Sequence, residues 1–547
     1  MKPSRVPANI GWVALALTLG FLTLSTFWPL AVLITRFLGS SQTVLTTFFD
    51  VFPVVRATLS QAMWSTAVSA VLGLGLGLWA GRLASVAQDK HSQKCVSKCI
   101  SLGHFFLSIP YGVPTIVAAT AWISWLGRHG YFAQIGIPLE ISYRFQAVIL
   151  AHVFFNAPWV AYWVSQARTE IPQEELDAAQ SLGAGVLCRF RFVIFPRIKW
   201  TFFSATLQVF MLCVMSFALV LILGGGPPVQ TLETALYSRM RYGSLDMPGA
   251  MACGLWQLLV TGVPWLALLW FQKKKALNPS RNSNESFRVA QASSRSLIQS
   301  AVFLWVAALF VIPYVAVFSG GKALSLLTAR YLSEISLPLL ISFKLALGTA
   351  AGACVVALLA VLAISFVQGR TSCASRASTL LGFVVSLPSS ISVLVLGLGF
   401  WIAYADWIDP FEGSFVAMLI LQVTLFMPVA FRVFWPIAQN TAHFRLSAAE
   451  TLGASPLTAF RYVEFPRWRA PVLRVFAMIA AGALGEVAAV SLFYSEKLVP
   501  LPLVISRWMG QYRFEEAQAL SAFLLAASVA VMAGVQILGG KNRDVIR

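Results

Sequence analysis

The sequence predicts an all-α polytopic membrane protein of about 12 transmembrane helices in two parallel six-helix repeats. Three observations predict it. Only 11% of the 547 residues are charged, 58% are hydrophobic and the mean hydropathy is +0.76. Soluble domains carry about 25% charged residues, so a soluble chain of this composition could not cover its own surface. Apolar runs of roughly 20 residues, enough to cross a hydrocarbon core at 1.5 Å per residue, recur along the whole chain. One segment of the chain also occurs twice. The composition excludes a cytosolic globular enzyme, a disordered chain and a secreted disulfide scaffold.

In the first half the expected spans are 10–34, 58–83, 99–126, 146–166, 200–223 and 248–271. In the second they are 298–318, 337–367, 378–404, 415–436, 472–494 and 517–539. Lys2 and Arg5 ahead of the first run resemble a secretion signal. That run is far longer than the roughly 7–15-residue core of a signal, so an uncleaved span is expected. Twelve spans put both termini on one side. Of the 40 Lys and Arg residues, 28 fall on the termini and the loops of that side and 12 on the other. Cytoplasmic loops are enriched in basic residues, so both termini are expected in the cytoplasm. The same bias accounts for the net charge of +19 (40 − 21) without nucleic acid.

Residues 177–196 read DAAQSLGAGVLCRFRFVIFP and residues 447–466 read SAAETLGASPLTAFRYVEFP. At a constant offset of 270, 11 of 20 positions are identical, Gly183 with Gly453 and Pro196 with Pro466 among them. A weaker echo links the second and eighth spans, where Gly73, Gly77 and Gly81 face Gly348 and Gly352. Small residues four apart form a flat strip on which another helix can pack. Six spans per half give both halves one orientation, with a shared pathway expected between them. The expected division is a first half at 1–272, a polar cytoplasmic linker at 273–297 and a second half at 298–547.

Both copies of the repeated segment lie in cytoplasmic loops between the fourth and fifth spans of their half. Pro172 can open a short helix, with Glu174 and Glu175 near its positive end. Gly183 suits the end of that helix. The second copy is expected to run from about Thr441 to Leu452, end at Gly453 and restart after Ser455 and Pro456. Ala178 and Ala179, or Ala448 and Ala449, form a small-residue face. A helix lying on the bilayer would need only an amphipathic pattern. Recurrence of the whole helix-turn motif favours docking against another surface.

These paired segments resemble the "EAA" loops of permease subunits of bacterial ABC importers. The matching residues are Asp177, Ala178, Ala179, Gly183, Val193, Phe195 and Pro196, then Ser447, Ala448, Ala449, Gly453, Val463, Phe465 and Pro466. The lead glutamate is Asp in one copy and Ser in the other. The resemblance implies a binding-protein-dependent importer permease fold with two halves fused in one chain. It also implies loops that dock on two copies of an ABC ATPase subunit, and a periplasmic binding protein that delivers substrate. AHVFFNAPWV at 151–160, FMLCVMSFALVLILGGGPPVQTLETALY at 210–237 and LGEVAAVSLFYSEKLVPLPLVISRWMGQYR at 484–513 are similar to thiamine importer permeases. Ferric-iron permeases share parts of the same pattern.

Other chemistry is poorly represented. There is no G-x-x-x-x-G-K-[ST] loop for ATP phosphates, no H-E-x-x-H and no G-x-S-x-G. The chain is therefore expected to be no enzyme and to hold no cofactor of its own, ATP and magnesium being bound by the partner ATPase. The GLGLG run lacks the strand–turn–helix context of a nucleotide site. Seven scattered cysteines argue against a disulfide framework, and Cys95, Cys99 and His91 lack a fourth metal ligand. Glu486, inside the eleventh expected span, is a costly carboxylate that could attract a cationic substrate. A packing or gating contact is its plainer reading. Asn156 and Gln208 are further candidate pathway residues, with helix-to-helix hydrogen bonding as the plainer role. Lys344 can snorkel to the interface. An ion-gradient-driven secondary transporter would share the topology but has no use for the repeated cytoplasmic motif. A membrane scaffold is weakened by the repeat.

Overall fold

The computed structural model describes residues 8–39, 43–86, 94–127, 130–136, 144–224, 230–242, 245–277, 294–318, 329–368, 374–409, 411–439, 451–455, 458, 461–462 and 465–540. Among them the regular structure is helical, with one isolated bridge between Ser495 and Leu498. The first half contains α1 (Asn9–Leu38), α2 (Phe52–Val86), α3 (Lys94–Gly112), α4 (Thr115–Leu126), α5 (Phe145–Thr169), α6 (Gln173–Ser181), α7 (Phe195–Val214), α8 (Ala218–Gly224), α9 (Leu232–Arg241) and α10 (Met247–Leu277). The second contains α11 (Ser294–Leu309), α12 (Ala329–Gln368), α13 (Ala374–Ser386), α14 (Val393–Ala403), α15 (Phe415–Gln439), α16 (Phe465–Leu484), α17 (Ala488–Ser491), α18 (Leu501–Gly510) and α19 (Phe514–Gly540).

Among the described residues, seven helices are long and apolar enough to cross a membrane, and three bent pairs raise the number to as many as 10. The two remaining expected spans, 99–126 and 472–494, are interrupted rather than continuous. In the first, Pro114 steers Val113 away from helical geometry and itself takes φ −55, ψ 136. In the second, the Glu486 carboxylate accepts the Ala488 N–H at 2.8 Å, replacing a helical bond with a local one. Apolar composition alone cannot reveal either break.

The breaks repeat between halves. The fifth span bends by 57° between α7 and α8, around Met215–Phe217, which lies 270 residues before Gly485–Val487. The ninth span bends by 96° before α14. Its Ser392 has φ −60, ψ 138, the conformation of Pro114, and its hydroxyl accepts the Leu394 N–H. The short helices α9 and α18 also correspond. Thr58 on α2 accepts the Leu232 N–H at 2.9 Å, and Ser342 on α12 accepts the Leu501 N–H at 2.7 Å. In each half, a hydroxyl on the second span thus satisfies an orphan donor at the start of the short helix.

The glycine strips pack as the spacing predicts. A Cβ on Gly77 would lie 2.7 Å from the Ala161 carbonyl oxygen, and one on Gly81 3.0 Å from that of Ser165, so α2 and α5 meet backbone to backbone. In the second half Gly348 and Gly352 take Leu419 and Val423 of α15. The first span of each half crosses to the other half. Trp12 of α1 meets Phe366 of α12 edge-on, with ring centroids 5.3 Å apart. Phe303 of α11 packs on Trp79 of α2, with centroids 5.5 Å apart, and lies over Gly103 of α3. The largest apolar cluster accordingly draws on both halves, with Ile116 and Trp122 beside Leu520 and Leu524.

Candidate functional site

Two features stand out, at different depths. The first is the repeated loop. Helix α6 starts after Pro172 with Glu174 and Glu175 in its first turn, where the helix dipole favours negative charge. It ends with two bonds that close a left-handed cap, Gly183 N–H to Gln180 O at 2.9 Å and Ala184 N–H to Ala179 O at 3.0 Å. Gly183 has φ +78 and Gly453 has φ +80. The two copies therefore make the same turn. An added Cβ would meet nothing within 4 Å at either glycine, so the backbone angle alone demands glycine.

Leu176 anchors α6 as the buried end of an apolar cluster that includes Val164 and Ile198. Arg197 braces it to the start of α7 through Glu175 at 2.6 Å, and Arg189 donates to Gln180 at 2.9 Å. Asp177 is exposed and accepts from Gln173 at 3.1 Å. Ala178 is exposed, Ala179 half-buried, and Pro196 lies in the first turn of α7. Leu182 and Leu452, each directly before its glycine, are 88% exposed. Both loop tips thus present an apolar side chain on a fixed turn. Ser447, Ala448 and Ala449 lie outside the described residues, whereas Pro466 opens α16.

The second feature lies where the broken spans meet. Gly485, at the break after α16, packs against the ring of Pro114, at the break before α4. Glu233, in the first turn of α9, is only 2% exposed. Its Oε1 accepts from Gln257 Nε2 at 2.7 Å, and the same amide donates to the Val214 carbonyl at the end of α7 at 3.2 Å. Val113, Phe217, Ile391 and Val487, at four of the five breaks, belong to one apolar cluster that draws on both halves. Gln257 lies ten residues into α10 (247 to 257), about 15 Å along the helix at 1.5 Å per residue. Helix α9 therefore starts at depth and climbs outward. At its far end Arg241 crosses to the second half, donating to the Tyr494 carbonyl at 3.0 Å and stacking 4.1 Å from the Tyr494 ring and 5.6 Å from that of Phe411.

Of the candidate pathway residues, Glu486 is in this region. Asn156 instead bridges α5 and α7 through Cys213 at 3.4 Å. Gln208 is half-buried on α7, and Lys344 is exposed on α12. No group of three His, Cys, Asp or Glu residues converges among the described residues.

Residues 73–271 and 369–540 match the family described as binding-protein-dependent transport system inner membrane component. The chain belongs to this family. The permease is 30% identical over 435 residues to the thiamine transport system permease protein of Brucella abortus (strain 2308), covering 78% of each chain. It is 27% identical over 441 residues to that of Escherichia coli (strain K12), covering 79% of this chain and 80% of the relative. To that of Haemophilus influenzae (strain Rd) it is 25% identical over 474 residues, covering 86% and 85%. It is an ABC-type permease with two halves fused in one chain, a multi-pass protein of the inner membrane. This permease family is not itself catalytic.

Glu233 and Gln257 escape a reading from sequence. Glu233 lies in a stretch between the fifth and sixth expected spans, where a carboxylate is unremarked. Only the return of α9 into the protein puts it at depth. The signal available was Thr231 with Leu232 and Glu233 three positions after the end of a Gly-Pro run, a helix start too close to the membrane to be an ordinary loop.

Proposed function

We propose that this permease forms the membrane path of an ATP-driven importer whose small-solute substrate is thiamine. Substrate arrives from a periplasmic binding protein. Two copies of an ABC ATPase dock on the loops centred on Gly183 and Gly453, and hold the ATP and magnesium that the chain itself has no motif to bind. Both termini and the 273–297 linker face the cytoplasm, by the 28 to 12 distribution of Lys and Arg. The halves 1–272 and 298–547 rock about their shared interface as the ATPase closes and opens, presenting the path to one side and then the other. The likeness to thiamine transport permeases over 78% of the chain carries the substrate reading. The matched φ of Gly183 and Gly453 supports paired docking. A ferric-iron or other small-solute importer is the alternative cargo. Family membership favours ATP over an ion gradient as the energy source.

The test is uptake by liposomes holding the permease with its ATPase and binding protein. Labelled thiamine should accumulate with ATP, and should continue to do so after the proton gradient is collapsed. Uptake of ferric iron and not thiamine would overturn the cargo. Uptake driven by the gradient without ATP would overturn the mechanism.

A further inference from the structure

The end of α5 that leads into the first repeated loop buries a charge without a counter-ion. Arg168, in the last turn of α5, is 5% exposed. Its Nη1 is buried without a hydrogen-bond partner, and no ion pair joins it to another described residue. Glu170, two residues on, is exposed and makes no ion pair with it. A guanidinium stays protonated in proteins, so its burial is not relieved by loss of the proton. Buried charges are ordinarily paired. The carbonyl end of α5 favours a cation in its last turn, but that effect is small beside the cost of burying an unpaired ion.

The surroundings seat this side chain. Gly81 of α2 lies against it, where an added Cβ would stand 2.7 Å from both Cβ and Cγ of Arg168 and 3.0 Å from the Ser165 carbonyl oxygen. Glycine at 81 therefore makes room for the arginine stem between α2 and α5. Arg82, exposed, directly follows Gly81 and adds a second guanidinium to the same end of the helix pair. Ser165, one turn deeper, is already engaged, its hydroxyl bonded to Nε2 of His104 on α3 at 3.0 Å. The arrangement is not repeated, since Ala438 is the partner of Arg168 at the 270-residue offset. A device that both repeated loops needed for docking would occur twice.

Depth identifies the missing anion. Arg144, at the other end of α5, is 24 residues from Arg168 (168 − 144), about 36 Å along the helix at 1.5 Å per residue. A hydrocarbon core is about 30 Å thick and a whole bilayer about 40–45 Å, so the two ends of α5 reach the two headgroup layers. Phosphate is the prevailing anion of such a layer, and basic pockets between spanning helices bind lipid headgroups there. The planar guanidinium matches two oxygens of one phosphate. A carboxylate of the ATPase is less well placed, because the exposed tip at Leu182 lies 14 residues further on (182 − 168), beyond α6. We propose that Arg168, seated over Gly81 between α2 and α5, binds a phosphate group at the base of the first repeated loop. A phospholipid headgroup and free phosphate share this chemistry.

Thermal unfolding of the full-length permease in detergent separates the two sources. Phosphatidylglycerol, dioleoylglycerol (which lacks the phosphate) or inorganic phosphate is titrated at constant ionic strength. Phosphatidylglycerol should raise the unfolding temperature saturably, and dioleoylglycerol should not. A matching rise with inorganic phosphate would assign the site to the free ion, and no such rise to the lipid. Arg168→Gln should increase the half-saturating concentration about tenfold or more, as expected for loss of a charged hydrogen bond. Without ligand it should unfold no lower than the parent, because it removes an unpaired charge. Arg168→Lys keeps the charge without the fork, should fall between the two, and carries the test if the glutamine variant does not fold. Lys98→Gln, which removes an exposed charge near the start of α3, should titrate like the parent. No response to either phosphate compound, or an unchanged half-saturation in Arg168→Gln, would overturn the site. Loss of the ATPase from the Arg168→Gln complex, with neither phosphate compound binding the parent, would give the arginine to a carboxylate of the partner and equally overturn it.

Discussion

Gly183 and Gly453 hold φ at +78 and +80, where a side chain costs an L-residue roughly 1–2 kcal/mol. Because no atom crowds either position, Gly183→Ala isolates that backbone cost. It should loosen the end of α6 while sparing membrane insertion. Gly183→Asp or Gly453→Asp adds a charge beside Leu182 or Leu452 and should abolish ATPase docking. Co-purification of the ATPase from detergent, with transport measured in parallel, checks this. Full co-purification and normal transport in both aspartate variants would remove the docking role. The resemblance of the loops was legible residue by residue, because a left-handed cap needs glycine at one position and sequence records it. The apolar tips were not, because exposure of Leu182 and Leu452 depends on what folds around them.

Among the helices, the glycine strip of α2 gives a paired test. Gly77→Ala would press a methyl against the Ala161 carbonyl, and overpacking of this kind costs about 1–3 kcal/mol. Gly75 is one step off the strip, exposed and clear of neighbours. Gly75→Ala should stabilise by roughly 0.5–1 kcal/mol through helix propensity alone. Thermal unfolding of the detergent-purified permease should therefore shift down for the first and up for the second. Shifts in the same direction would mean that the strip is not a helix contact. Spacing revealed this strip because packing partners four residues apart leave a one-dimensional trace. Helix breaks leave a weaker one. Pro114 marks its break, but Ser392 reads as an ordinary member of an apolar run, and Glu486 stands out as a costly carboxylate without signalling a break.

Across the whole molecule, the exchange of α1 and α11 means that each half is partly built from the other. Co-expressed polypeptides 1–277 and 294–547 should therefore co-purify without the covalent linker and retain transport. Recovery of each half alone would contradict the shared core around Ile116 and Leu520. Arg241 closes the end of the interface opposite the repeated loops. Arg241→Ala removes a cation–π contact worth about 1 kcal/mol, or roughly fivefold in the population of the closed arrangement. ATP hydrolysis in the absence of binding protein should rise accordingly. An unchanged rate would show that this contact does not hold the closed state.

By itself the sequence determined that the chain spans a membrane, that it is built twice and that its repeated loops end in glycine-capped turns. Each of these is written in local runs, charge counts or a fixed offset. Only the tertiary structure decided that five spans are broken, that four of the breaks border one apolar cluster, and that Glu233 is buried against Gln257. Pro114 and Gly485, which pack together, are 371 positions apart (485 − 114) and come from stretches with different sequence surroundings. Their meeting follows from how the halves pack. No periodicity or composition encodes such a contact, because it belongs to the interface and not to either segment.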